Sequence, residues 1–314
     1  MEAVTIELGE LKSSNLPEVV PYSVVAPAGY GELGPLPLCI LLMGGGGSRQ
    51  NLVDMQPLLE RWWSEGSIPP MVFATPSPGM SYYVQDPDEG VRWESFLARE
   101  FAPHLRAAYH VDSVAIAGIS MGGYGALKTA FSHPEVFEAV AAMQPMLEPG
   151  FEDGDVGARN RIHHVAGGPA RLIGPGRDAA LFAANQPANL ARRHLASIRS
   201  SGLAIYIDAG DEDLVNAHDG AEFLHRVLWD LDLSHEYHLV RGGDHGGPTM
   251  HPRMRTMFGW VGGVMRPDLD GEAQSGPTSR EFLRALRAQL EPLREKAGEA
   301  DRTTRRRFGI LPKR

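Results

Sequence analysis

Cysteine is all but missing. The 314-residue chain has one, Cys39, so no internal disulfide can form. Its place inside the apolar run "LPLCILLM" reads as a buried thiol on a strand. Long apolar runs are missing too: nothing approaches the roughly 18 residues of a membrane-spanning helix. The opening "MEAVTIELGELKSS" lacks the basic and apolar regions of a secretory leader, so a cytoplasmic location is expected. Basic charge is in deficit, with Lys+Arg 30 against Asp+Glu 39 and a net charge of -9. That balance argues against nucleic acid or an anionic membrane as partners of the body. Arg and Lys gather only at the end, in "RTTRRRFGILPKR", which reads as a solvated tail. H-E-x-x-H is absent, and the adjacent His163 and His164 read as exposed loop residues, so no metal is expected. The glycines of "MGGGGSRQN" are not followed by the G-K-[ST] of a phosphate cradle. A dinucleotide fingerprint fits no better, and no cofactor is expected.

What is present is a soluble-protein composition, 43% hydrophobic and 22% charged, long enough to bury a large core. Short apolar runs alternate with helical patterns. "LPLCILLM", "MVFATP", "SVAIAG", "FEAVAAMQP", "LAIYIDAG" and "EYHLVRGG" read as strands. Residues 91–109 read as an amphipathic helix, and "AHDGAEFLHRVLWDL" and "PRMRTMFGWVGGVM" supply the last helices of the body. Strands alternating with crossover helices predict an α/β fold: a mostly parallel sheet with helices on both faces. "VVPYSVVAPAGY" is expected to add an antiparallel edge strand.

The expected organisation is a catalytic domain over 1–265, a linker over 266–277, and a C-terminal helix with basic tail over 278–314. Residues 146–202 interrupt the alternation and are expected to form short helices that cover a site. In the C-terminal helix Thr278 and Glu281 have capping-box spacing. Phe282, Leu283, Leu286, Leu290 and Leu293 form an apolar stripe that packs on the chain's own body or makes a homodimer contact.

The chemistry centres on "VAIAGISMGGYGAL". Gly118-Ile119-Ser120-Met121-Gly122 is a G-x-S-x-G pattern between an apparent strand and an apparent helix, the context in which a serine becomes a nucleophile. A serine hydroxyl is weak near neutral pH and needs a base, itself oriented by an acid. His245, between glycines just past the last strand, has the order and place of that base. Asp208, Asp211 and Asp213 compete as the acid. Asp213, three residues past Gly210, lies far enough into the loop to reach sideways. Acyl transfer also needs two N–H groups facing the developing oxyanion. Met121, at a helix N-terminus, supplies one, and the loop "LLMGGGGSRQN" the other. Gly46, Tyr82, Tyr83 and Gln144 are candidates to contact substrate, while Trp93 reads as packing its helix on the sheet. Arg159, Arg161 and Arg171 either meet an anionic substrate or balance the acids of "FEDGD".

Taken together, "MGGGGSRQN", "GISMGGYGAL", "SHPEVF", "IDAGDEDLV" and "GGDHGG" resemble the putative-esterase family over roughly residues 20–263. The family includes S-formylglutathione hydrolases, feruloyl esterases and mycobacterial mycolyltransferases. The resemblance implies an α/β-hydrolase fold and a Ser120, Asp213, His245 triad. It also implies an oxyanion hole from the N–H groups of Gly45 and Met121. The expected activity is cofactor-free cleavage of a small-molecule carboxylic ester through an acyl-enzyme. Acyl transfer to another acceptor is the near alternative, and a catalytically silent binding protein the alternative of another class. The chain departs from its relatives at Met43, where many carry a polar residue, and at "MQPML", where feruloyl esterases show serine-glycine. "GGGGSRQN" also lacks the threonine and cysteine pattern of the S-formylglutathione hydrolases, and these differences bear on substrate rather than machinery.

Overall fold

The structure, a computed structural model, describes residues 4–266 apart from 166 and 175, together with 292 and 296; for 162–165 it describes the backbone only. The chain divides into two units, Met1–Pro267 and Asp268–Arg314. Of the expected C-terminal helix Pro292 and Lys296 are described, both helical and exposed, and its other residues, with the linker beyond Arg266, lie outside the described residues.

The first unit is built on an eight-stranded sheet. Its strands in chain order are β1 (Thr5–Leu11), β2 (Val20–Ala26), β3 (Leu36–Leu42), β4 (Val72–Pro76), β7 (Val111–Ile119), β8 (Ala139–Met143), β9 (Ala204–Gly210) and β10 (Glu236–Val240). Two short strands, β5 (Gln85–Asp86) and β6 (Val91–Arg92), pair apart from it. The spatial order is β1-β2-β4-β3-β7-β8-β9-β10. From β4 to β10 all neighbours are parallel, whereas β2 runs antiparallel to both β1 and β4. "VVPYSVVAPAGY" is therefore antiparallel as expected but is not the edge; β1 lies outside it. Thr5–Leu11 escaped notice because its apolar side chains face water, with Ile6 43% and Leu8 60% exposed.

The central strands are apolar throughout because both faces are covered. Side chains alternate across the sheet, so Leu38, Ile40, Leu42, Val114 and Ile116 enter one core, and Cys39, Leu41, Ala115 and Ala117 the other. The first core is closed by α2 (Trp93–Phe96), α3 (Ala102–Ala108), α4 (Met121–Ser132), α7 (Pro187–Arg193) and α9 (Ala217–Asp230). The second is closed by α1 (Arg49–Ser64) and α10 (Met250–Met265), through Leu52, Leu59, Trp62, Met257, Phe258 and Val261. The helix expected over 91–109 carries a π-turn at Leu97–Phe101 between α2 and α3. Pro103, which has no N–H to donate, sits where the α-helical ladder resumes.

Residues 146–202 hold two 3-10 segments, Asp153–Asp155 and Ala158–Val165, and four short helices. These are α5 (Ala170–Ile173), α6 (Ala179–Asn185), α7, and α8 (Leu195–Ser201). Polar knots tie the segment down. Arg177 pairs with Asp153 at 2.6 Å and with Glu148, and the Gln186 amide donates to the carbonyls of Glu148 and Gly150. Of the three arginines singled out in the sequence, Arg161 pairs with Asp153 of "FEDGD" at 3.0 Å. Arg159 pairs with Asp219 at 2.8 Å and Arg171 with Asp86 and Asp178 at 2.8 and 3.0 Å.

Candidate active site

Three parallel strands, β7, β9 and β10, with β8 lying between the first two, deliver Ser120, Asp213 and His245 from their carboxyl ends, the edge where open α/β sheets place their ligands. Ser120 joins β7 to α4 with φ 57° and ψ -121°, a conformation rare for a residue with a Cβ. The turn is held by Ser120 N–H on the Met143 carbonyl at 3.0 Å and by Met146 N–H on the Ser120 carbonyl at 3.0 Å. Its glycines are dictated by close approach. A Cβ at Gly118 would lie 2.1 Å from the Gly122 carbonyl oxygen, and one at Gly122 2.0 Å from that of Leu42. A similar contact sets the other two loops together: a Cβ at Gly210 would lie 2.0 Å from the Gly243 carbonyl oxygen.

The three side chains form one hydrogen-bonded chain. His245 Nε2 is 2.9 Å from Ser120 Oγ, and His245 Nδ1 is 2.7 Å from Asp213 Oδ2. The Asp213 side chain is fully buried and the His245 ring about a fifth exposed. Burial alone would push the Asp213 carboxyl up. The hydrogen bond and charge of His245, with the N–H groups of Val215 and Ala217, more than offset this and hold it below the ordinary carboxylate value. Val215 N–H reaches Asp213 Oδ1 at 2.9 Å, which leaves Oδ2 for the imidazole.

The competing acids are all occupied elsewhere. Asp208 is buried against Arg253 of α10, with Oδ1 2.5 Å from Nη2 and 3.1 Å from Nε; burial lifts its carboxyl while Arg253 works in the opposite sense. Asp211 accepts the Gly242 N–H at 2.6 Å, stapling the acid loop to the histidine loop. Asp244 accepts the N–H groups of His245 at 2.6 Å and Leu214 at 3.2 Å, a second staple.

The glycine loop after β3 runs beside the serine, so that a Cβ at Gly44 would stand 3.4 Å from Ser120 Cβ. The Gly46 N–H donates to the Gly79 carbonyl and the Gly47 N–H to the Gly44 carbonyl, both at 3.0 Å. The N–H groups of Gly45 and Met121 have no acceptor among the described residues. Gly46 is thus engaged through its backbone in holding the loop. Tyr83 is fully buried, with its hydroxyl donating to the Met43 carbonyl at 3.0 Å and its ring against Trp93, which leaves it no surface for a substrate. Tyr82 is 5% exposed and stands edge-on to Tyr124. Gln144 is buried, and its amide nitrogen donates to the His245 carbonyl. Arg253 was missed in the sequence. A signal was available, since it lies one and two turns before Met257 and Val261 on the buried stripe of α10, where a charge demands a partner. Among the described residues no group of three or more His, Cys, Asp or Glu side chains could hold a metal ion. The side chains of His163 and His164 lie outside them.

Comparison with known proteins points the same way. A diacylglycerol acyltransferase/mycolyltransferase, Ag85A of Mycobacterium tuberculosis, is 26% identical over 198 residues. That match takes in 60% of this chain and 57% of the relative, so the chain spans little more than half of the mycolyltransferase. A ferulic acid esterase superposes with a TM-score of 0.66 at 20% identity, covering 84% of this chain and 99% of that one. An S-formylglutathione hydrolase from Agrobacterium tumefaciens gives 0.62 at 17% identity, covering 82% and 94%. At these identities the likeness is one of fold, that of the α/β-hydrolases. The family model described as "Putative esterase" matches residues 13–253, and the chain belongs to that family.

Proposed function

We propose that the protein is a serine hydrolase of carboxylic esters. The observation that carries this reading is the unbroken chain from Ser120 Oγ through His245 to Asp213, hung on a left-handed serine at a helix N-terminus. In the proposed reaction Ser120 Oγ attacks the ester carbonyl carbon as its proton passes to His245 Nε2. The carbonyl π electrons move onto oxygen, where the N–H groups of Gly45 and Met121 receive the charge. Collapse expels the alcohol, which takes the proton from His245, and leaves Ser120 acylated. Water, deprotonated by the same nitrogen, then releases the acid and restores the hydroxyl. Asp213, buried and accepting from Nδ1, keeps the imidazole in the tautomer that presents Nε2 to the serine and stabilises the imidazolium. A cytoplasmic location, expected from the sequence, is part of the same proposal, and fractionation tests it.

The test is turnover of p-nitrophenyl esters of increasing acyl length by wild type and Ser120→Ala. Wild-type activity that falls by several orders of magnitude in the variant is expected; equal activity in the two sinks the reading. A second reading, transfer of the acyl group to an alcohol or thiol, draws on the match to a mycolyltransferase. It predicts that added acceptors raise the rate of acyl-enzyme breakdown and divert product from acid to ester.

A further inference from the structure

The loop that carries His245 has little stiffness of its own. Residues 241–247 read "RGGDHGG", and Gly242 and Gly247 take φ of 65° and 78°. Glycine backbones are the freest in a chain. Yet His245 has to keep Nε2 within bonding distance of Ser120 Oγ, at 2.9 Å.

Two side chains from distant elements take hold of consecutive carbonyls of this loop. Gln144, just past β8, donates its amide N–H to the carbonyl of His245. Arg253, on α10, donates from Nη1 to the carbonyl of Asp244 at 3.0 Å. Both are anchored on Asp208 at the end of β9. Its backbone carbonyl accepts the Gln144 N–H at 2.7 Å, and its carboxylate seats the Arg253 guanidinium at 2.5 and 3.1 Å. Gln144 is 1% exposed and held at φ 42°, a disfavoured backbone for a residue with a side chain and one that persists only where its surroundings impose it. Its Oε1 is buried with no hydrogen-bond partner among the described residues. Leucine or methionine would fill the same space without burying an unpaired oxygen. What the amide adds is the bond its nitrogen makes.

We propose that Gln144 and Arg253 are positioning residues that clamp the histidine loop by its backbone and so hold the His245 imidazole against Ser120. The proposal rests on the hydrolase reading for its effect on turnover. It also moves Gln144 from a substrate contact, as read in the sequence, to a support of the base.

The test compares wild type with Gln144→Leu, Gln144→Glu and Arg253→Lys, by p-nitrophenyl ester kinetics and by NMR of the His245 ring, assigned through His245→Asn. A loosened imidazole lowers kcat by about 10- to 100-fold, the scale of a 1 Å misplacement, with KM unchanged. In Gln144→Glu only the protonated acid can donate, so its kcat relative to wild type rises as pH is lowered, whereas the ratio for Gln144→Leu stays flat. Arg253→Lys keeps a charge beside Asp208 but loses the fork that spans carboxylate and carbonyl, and loses kcat similarly. The His245 ring resonances shift or broaden in all three. A folded Gln144→Leu with wild-type kcat and an unchanged His245 spectrum overturns the clamp. Should Gln144→Leu not fold, the other two variants decide in the same way. Ser120→Ala run alongside separates the two ideas: undiminished turnover there removes the hydrolase reading, and the His245 spectra still decide the clamp.

Discussion

Alanine at Gly122 probes the geometry around Ser120 without touching a reacting atom. Its Cβ would lie 2.0 Å from the Leu42 carbonyl oxygen, 2.4 Å from the Leu42 carbonyl carbon and 2.9 Å from the Met43 carbonyl oxygen. All three are backbone atoms at the end of β3, so no rotamer change relieves the clash. Real Cβ atoms essentially never come closer than 3.0 Å, so the first turn of α4 and the end of β3 must part by about 1 Å, the difference between 3.0 and 2.0 Å. Those two segments carry the N–H groups of Met121 and Gly45. A gap of that size takes one donor out of reach of a shared oxyanion, a loss worth about 10²- to 10³-fold in kcat. The overpacking itself costs about 1–3 kcal/mol and lowers Tm by several degrees. Steady-state kinetics on a p-nitrophenyl ester, beside a thermal melt, measures both. Gly31→Ala is the control, because a Cβ there meets nothing within 4 Å, and it leaves kcat and Tm unchanged. Wild-type kcat and Tm in Gly122→Ala would refute the steric account of the elbow and, with it, the pairing of these two N–H groups.

Asp213→Asn removes the charge behind His245, and kcat falls by about 10⁴-fold if the partner fixes the tautomer, as in serine triads generally. The stability effect has a defined sign. Asp213 is held below its ordinary value in the fold, so its contribution is complete above the unfolded carboxylate pKa of about 3.9 and is lost as pH falls through the lower folded value. Urea melts should show wild type more stable than Asp213→Asn at neutral pH and the gap closing only below pH 4; a gap that closes at higher pH contradicts this. The buried pair Lys128–Glu94, 2.8 Å apart, gives the last prediction. Burial pushes the Lys128 ammonium below its ordinary value while Glu94 pulls it back. Lys128→Met strands a buried carboxylate and costs about 3–5 kcal/mol. Lys128→Met with Glu94→Leu recovers part of that, and strictly additive single effects would show that the two side chains are uncoupled.

The parts of this molecule that were legible in the sequence are those set by local period or by steric exclusion. β3 and β7 announce themselves because every residue of one, and all but the first two of the other, is buried between helix layers. Ser120 announces itself because its flanking glycines are forced by backbone contact, Gly118 with Gly122, and His245 because it follows a strand end where Gly243 packs on the backbone of Gly210. Long-range polar pairing leaves no such trace. Asp208, in β9, and Asp211, Asp213 and Asp244, in the loops after β9 and β10, look alike in the sequence. They differ only in partners: Arg253, the Gly242 N–H, the His245 ring, and the N–H groups of His245 and Leu214. Gln144 and His245 are 101 residues apart. The segment 146–202 is the extreme case. Its short helices have too few turns to show a period, and ion pairs and hydrogen bonds such as that from Lys128 Nζ to Asn185 Oδ1 fasten it to the rest. A sequence read for periodicity and steric exclusion therefore reaches the nucleophile and its elbow before it reaches the long-range pairs that set Asp213 and Gln144 against the His245 loop.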